Sequence, residues 1–271
     1  MTATVMSLRA AAPHETRSKV SWAVSDALSV AKRNVIAMTR TPQVLVLSTV
    51  QPVIFVLMFR YVFGGAIHIP GVRYVDFLMA GIFVQTVTFG SMNTGVGLAE
   101  DLQKGLIERF RSLAMARSAV LAGRTLADML RNLFVIILMV VVGFLVGFHL
   151  HTNVVELLGA VGVLLLFGFA MSWVMALVGL ITKNAEAAQA AAFPLMALLV
   201  FASNSFVSTR TMPGPLRAYA NHQPVSATVN AVRALVLGGP TLSKVLVACA
   251  WAIGIVVVFA PLAVRRYRQA A

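Results

Sequence analysis

Leu133-Phe-Val-Ile-Ile-Leu-Met-Val-Val-Val-Gly-Phe-Leu-Val-Gly-Phe-His-Leu150 contains no Asp, Glu, Lys, Arg or Pro. As a helix, an uncharged apolar run of this length is close to what a hydrocarbon layer about 30 Å thick requires. Comparable runs occur at 44–63, 74–98, 154–181, 191–207 and 245–264. The composition has the same cause. Of 271 residues, 59% are hydrophobic and 11% charged, against roughly 25% charged in an ordinary soluble domain. The expected fold class is an all-α integral membrane protein with six transmembrane helices.

Between the runs the chain changes character. Residues 1–43 hold no apolar stretch suited to a signal-peptide core, so the first span is expected to act as its own insertion signal. Val20, Val24, Leu28, Ala31, Val35 and Met38 recur at helical spacing with Ser25, Asp26, Lys32 and Arg33 largely opposite. That pattern, with Trp22 at headgroup level, predicts an amphipathic interfacial helix lying against anionic membrane lipid. Pro52 falls inside the first span, where a kink is expected. The stretch 99–131 is dense in charge and reads as too polar to cross. The loop 208–244 is punctuated by prolines, and its segments Leu216 to Asn221 and Val225 to Leu237 read as short helices on the outer surface or re-entering the membrane.

Basic residues set the orientation. With the N-terminus inside, sixteen of the 22 Lys and Arg fall on the inner side, counting the tail 265–271. Cytoplasmic loops carry such an excess, so both termini are expected in the cytoplasm and the protein in the plasma (inner) membrane. The net charge of +13 is spread between apolar segments instead of forming one patch, which argues against nucleic acid as a partner.

Several chemistries are excluded by what the sequence lacks. No stretch matches the phosphate-cradling G-x-x-x-x-G-K-[ST], no H-E-x-x-H or G-x-S-x-G occurs, and no His, Asp and Glu cluster has metal-ligand spacing. No catalytic residue, metal or cofactor is expected. Cys249 is the one cysteine, so no disulfide forms within the chain. An ion-coupled carrier would need charges at mid-membrane depth or an internal repeat, and a lipid-modifying enzyme a nucleophile or carboxylate–histidine set at one depth. Arg60, Asp76, Asp128, Arg131 and Glu156 all fall at segment ends, where they are expected to reach headgroups or water. Gln85, Asn93, Ser172, Ser203 and Asn204 lie inside the spans, as candidates for a substrate path or for hydrogen bonds that pack helices.

The informative stretch is Leu98-Ala-Glu-Asp-Leu-Gln-Lys-Gly-Leu-Ile-Glu-Arg-Phe-Arg-Ser-Leu-Ala-Met-Ala-Arg-Ser-Ala-Val-Leu-Ala-Gly-Arg-Thr-Leu-Ala-Asp128. Hung between two spans and too short for a domain, it offers a helix able to dock into a groove on another protein. Leu113, Met115, Val120 and Leu121 would give apolar contact, and Arg109, Arg111, Arg117 and Arg124 could pair with acids. The acidic pair Glu100-Asp101, the Arg-Phe-Arg cluster, Leu-x-Met-x-Arg and Val-Leu-x-Gly-Arg resemble the membrane subunits of type-2 ABC exporters, in their daunorubicin-resistance branch. Asn221-His-Gln-Pro-Val-Ser226 and Ala231-Val-Arg-Ala-Leu-Val-Leu-Gly-Gly-Pro240 are similar to that branch's late pattern. One departure is Ala114, where the branch commonly has proline.

The resemblance implies a permease that moves an amphipathic drug, antibiotic or lipid outward. It implies an ATPase partner that carries ATP and Mg, a second permease copy or paralogue, and a coupling helix in the stretch 99–131 with Glu100, Asp101, Arg109, Arg111, Leu113, Met115, Arg117 and Arg124 facing the ATPase.

Overall fold

The computed structural model describes residues 42–67, 69, 71–105, 117–182 and 184–270. The interfacial helix expected ahead of Val44 lies outside the described residues, as do Arg109, Arg111, Leu113, Met115 and the side chain of Arg117. Among the described residues every regular element is a helix, which is what a solvent without hydrogen-bonding capacity imposes on a backbone.

Helix α1 is Pro42–Leu57, continued by a π-helical turn Met58–Val62. Pro52 removes one N–H from its ladder. The second apolar run forms α2 (Tyr74–Gly90) and α3 (Met92–Gln103), joined at Ser91, and reaches further than the run 74–98. Helix α4, Arg117–Leu145, begins well before the expected third span at 133. The stretch 99–131 is therefore helical at both ends, and of its charges Asp101, Arg124, Asp128 and Arg131 are carried by those helices. Helix α5 is Val154–Thr182, α6 Ala185–Phe201, α7 Gly214–Asn221, α8 Pro224–Leu237 and α9 Thr241–Ala270.

Among the described residues four helices are long and apolar enough to cross a membrane: Tyr74–Gln103, Gly123–Leu145, Val154–Thr182 and Thr241–Gln269. Thr49–Val62 and Ala185–Phe201 are apolar but shorter, as is Pro224–Leu237. The expected fifth segment, 191–207, is displaced because Asn184 caps α6 early, its side chain accepting the Glu186 N–H at 2.8 Å. The Ser203–Phe206 end of that segment leaves the helix. The arginines after Val264 continue α9 instead of forming a separate tail, and Tyr267 among them is buried.

Helix α5 is central and packs against α2, α3, α4, α6, α8 and α9. Its crossing with α3 is close enough to need glycine on both sides. A Cβ at Gly179 would stand 2.1 Å from the Gly95 carbonyl oxygen, and one at Gly95 would stand 2.5 Å from the Met175 carbonyl oxygen. Small residues permit such approach where lipid gives no hydrophobic drive between helices. Helix α8 buries Val225, Val229, Val232 and Val236 against the bundle. At the far end of α1, Phe59 stacks on Phe206 with centroids 4.6 Å apart and planes 6° from parallel. Helix α9 turns Leu246, Trp251, Ile253, Val257 and Val258 outward, as a lipid-facing helix must.

The α3–α5 crossing yields a test. Gly179→Ala should destabilise the purified chain by about 1–3 kcal/mol, the cost of forcing a methyl into a packed contact. Gly162→Ala, whose Cβ meets nothing within 4 Å, should not lower the thermal unfolding temperature in detergent.

Candidate functional site

A cavity of about 460 Å³ opens between α1, α2, α3, α4 and α6. Its walls mix two kinds of surface. Gln51, Gln85, Asn93, Arg131, Asn132 and Gln189 supply amides and a guanidinium, and Pro52, Phe89, Met92, Val96, Val135 and Phe193 supply apolar contact. Phe89 and Phe193 sit with ring centroids 6.0 Å apart, tilted by 46°. The size and the few convergent polar groups are those of a small-molecule site. Gln85 is 2% exposed and its Oε1 has no hydrogen-bond partner among the described residues. Asn93 is exposed and donates from Nδ2 to the Gly90 carbonyl at 3.2 Å.

The cavity's one charge is balanced behind its wall. Arg131 donates to the Gly90 carbonyl and lies 3.5 Å from Asp128, and Asp128 accepts from the Thr94 hydroxyl. Further along α4, Arg124 bridges to Asp101 at the end of α3. Arg124 lies against Gly97, where a Cβ would stand only 1.6 Å from its Nη2. Asp128 and Arg131, expected to reach headgroups or water, are instead buried at 4% and 7% exposure. The reason is the early start of α4: positions 128 and 131 lie well inside a long helix packed on α2 and α3, not at a frayed end.

The residues expected to face an ATPase thus divide. Asp101 and Arg124 are turned on each other, while Glu100 pairs with Lys104 at 3.2 Å in an exposed i,i+4 bridge. The intramembrane candidates divide too, since Gln85 and Asn93 line the cavity and Ser172, Ser203 and Asn204 do not. Ser172 is buried within α5. Ser203 pairs with Ser205 at 2.7 Å, and Asn204 donates to Asn230 at 2.7 Å, tying the end of α6 to α8. The same junction holds Arg233, which donates to the carbonyls of Phe77 (3.2 Å) and Asn204 (3.1 Å) with its guanidinium carbon 3.6 Å from the Phe77 ring centroid.

Asp76, also expected at headgroup depth, is fully buried. It accepts from Arg73 Nε at 2.9 Å and Nη2 at 3.0 Å, and from the His149 N–H at 2.9 Å. Sequence reasoning passed over Gln51, Thr94, Asn132 and Gln189. The signal for Thr94 and for the polar face of α4 was available in spacing: Arg124, Asp128 and Arg131 fall at i, i+4 and i+7, one face of a helix.

Comparison with known proteins bears on what this site serves. A family model described as ABC-2 type transporter matches residues 26–237. The chain is 37% identical over 248 residues to the daunorubicin resistance ABC transporter permease protein DrrB1 of Streptomyces coeruleorubidus, covering 91% of this chain and 87% of that one. It is 28% identical over 229 residues to the probable doxorubicin resistance ABC transporter permease protein DrrC of Mycobacterium tuberculosis, covering 82% and 80%. With the doxorubicin resistance ABC transporter permease protein DrrB of the same species the identity is 26% over 203 residues, covering 70% and 69%.

The buried pair behind the cavity sets a stability test. Asp128→Asn leaves the Arg131 charge without a counter-ion in a site where both side chains are 6% exposed, and should cost about 3–5 kcal/mol. Thermal unfolding should show Asp128→Asn with Arg131→Gln to be the milder change, because no uncompensated charge remains.

Proposed function

This chain belongs to the ABC-2 type transporter family, and from that premise we propose that it is the membrane-spanning half of an ATP-driven exporter of amphipathic drugs, antibiotics or lipids. The observation that carries the reading is the cavity of about 460 Å³ walled by amides and paired aromatic rings between the helices. A ligand with a flat apolar body and hydrogen-bonding groups at its edge matches such walls. Relatives named for daunorubicin and doxorubicin resistance make those compounds the first to try.

In this reading α1 and α6 complete the crossings to six. The inward excess of basic residues puts both termini and the stretch between α3 and α4 in the cytoplasm of a plasma-membrane protein. That stretch docks on a separate ATP-binding partner through Leu113 and Met115, with Arg109, Arg111, Arg117 and Glu100 at the rim of the contact. Hydrolysis of ATP, with its Mg, takes place on the partner. A second permease copy or paralogue completes the pathway, as the existence of both DrrB and DrrC relatives suggests.

Inverted vesicles holding this chain and its partner should accumulate doxorubicin on ATP addition, and should continue after ion gradients are collapsed. Vesicles with this chain alone should neither accumulate the drug nor hydrolyse ATP. Leu113→Asp places a charge in the desolvated dock and should abolish accumulation while drug binding is kept. Accumulation that stops with the ion gradient and ignores ATP would show a secondary carrier instead.

A further inference from the structure

Helix α6 carries two edges. Ala188, Ala192, Met196 and Val200 are buried against the bundle, and Gln189 and Phe193 line the cavity. Glu186 belongs to the cavity edge: at 3.6 residues per turn, a position seven residues before Phe193 falls within about 20° of it around the axis. Glu186 is exposed, and its backbone N–H is taken by the Asn184 side chain at 2.8 Å. Its carboxylate forms no ion pair with a described residue.

The depth of Glu186 follows from the run of the helices. A Cβ at Gly81 would strike the Ser205 carbonyl oxygen, and Phe89 meets Phe193, so α6 runs antiparallel to α2 and α3. Seven residues back along α6 from Phe193 is therefore level with seven residues forward from Phe89, which is Val96, the residue of α3 nearest that helix's end to line the cavity. Arg131 stands toward the other end, donating to the Gly90 carbonyl, about 9 Å along the axis from the level of Val96 at a rise of about 1.5 Å per residue. The wall between holds no carboxylate. Among the lining residues Arg131 is the one charged group, and its counter-ion Asp128 lies behind the wall.

A protonated amine in such a cavity is repelled at the Arg131 end and finds an opposite charge only at the Glu186 end. Acceptor oxygens have the reverse preference, because the guanidinium and the Asn132 amide donate hydrogen bonds. We propose that Glu186 is a specificity-determining residue that pairs with a protonated amine of the cargo, while oxygens of the same molecule lie toward Arg131. The cargo class is then an amphipathic amine with a flat ring system, bound in one orientation with its amine toward the start of α6. This deepens the exporter reading and rests on the cavity being its cargo site. An acid in the first turn also suits the helix dipole, a role that Glu156 fills in α5 away from the cavity.

The test uses the full chain with its ATPase partner in nanodiscs of zwitterionic lipid, without nucleotide. Binding of doxorubicin, whose sugar amine is protonated at neutral pH, is compared by fluorescence titration with that of the analogue in which a hydroxyl replaces this amine. Glu186→Gln should raise the Kd of doxorubicin about two- to fivefold, the worth of a partly exposed ion pair, and leave that of the hydroxyl analogue unchanged. High salt should shrink the difference between wild type and Glu186→Gln. Glu156→Gln, which removes the equivalent first-turn acid, should alter neither compound.

An equal effect of Glu186→Gln on both compounds, or an effect on neither, overturns the proposal. Gln85→Leu keeps the two readings apart. If it weakens both compounds while Glu186→Gln spares them, the cavity stands as the cargo site and Glu186 serves only the start of its helix. If Gln85→Leu weakens neither, or neither compound binds, the cavity reading falls and this proposal with it.

Discussion

Hydrocarbon offers a polar group no hydrogen bond, and the whole arrangement follows from that constraint. The backbone meets it by forming helices throughout the described residues. Side chains meet it by finding partners inside the bundle, which is why Asp76, Asp128 and Arg131, though charged, are among the least exposed residues. Asp128 is satisfied by Thr94 and Arg131, and Asp76 by Arg73 and the His149 N–H. With lipid as apolar as the helices themselves, contact is set by shape. The Gly95 and Gly179 crossing brings α3 onto the central α5, and α4 lies alongside α2 and α3 with its polar face inward.

This polar face borders the cavity through Arg131 and Asn132. Gln85 Oε1 has no hydrogen-bond partner among the described residues, and amides from α1, α4 and α6 converge on the same space. Phe89 and Phe193 supply the apolar part of the same wall.

Much of the fold was legible in the sequence because apolar run length is a direct record of the solvent. The runs at 74–98, 154–181 and 245–264 each lie within helices long enough to cross, and Pro224 and Gly238 frame the short helix α8 as its turn residues suggest. The starts of helices were not legible where charge marks a polar face instead of a loop. Asp128 and Arg131 read as segment-end residues and Arg124 as part of a polar stretch, whereas Thr94 and the Gly90 carbonyl let the first two be buried and Asp101 holds Arg124 half-buried. The family was legible in the motifs of the same stretch. Of the candidate site, Gln85 and Asn93 could be named as intramembrane amides. Gln51 and Gln189 could not be joined to them, since only packing brings α1 and α6 to the same cavity.

Cargo recognition by the cavity and energy from a separate ATPase are one claim, and the rate of the partner's ATP hydrolysis in the assembled complex tests both halves together. Doxorubicin should stimulate that rate, and Gln85→Leu should shift the half-stimulating concentration up by about five- to tenfold, the worth of one hydrogen bond, without changing the drug-free rate. Stimulation that is identical in the wild type and in Gln85→Leu would contradict the account, because the drug would then be sensed somewhere other than this cavity.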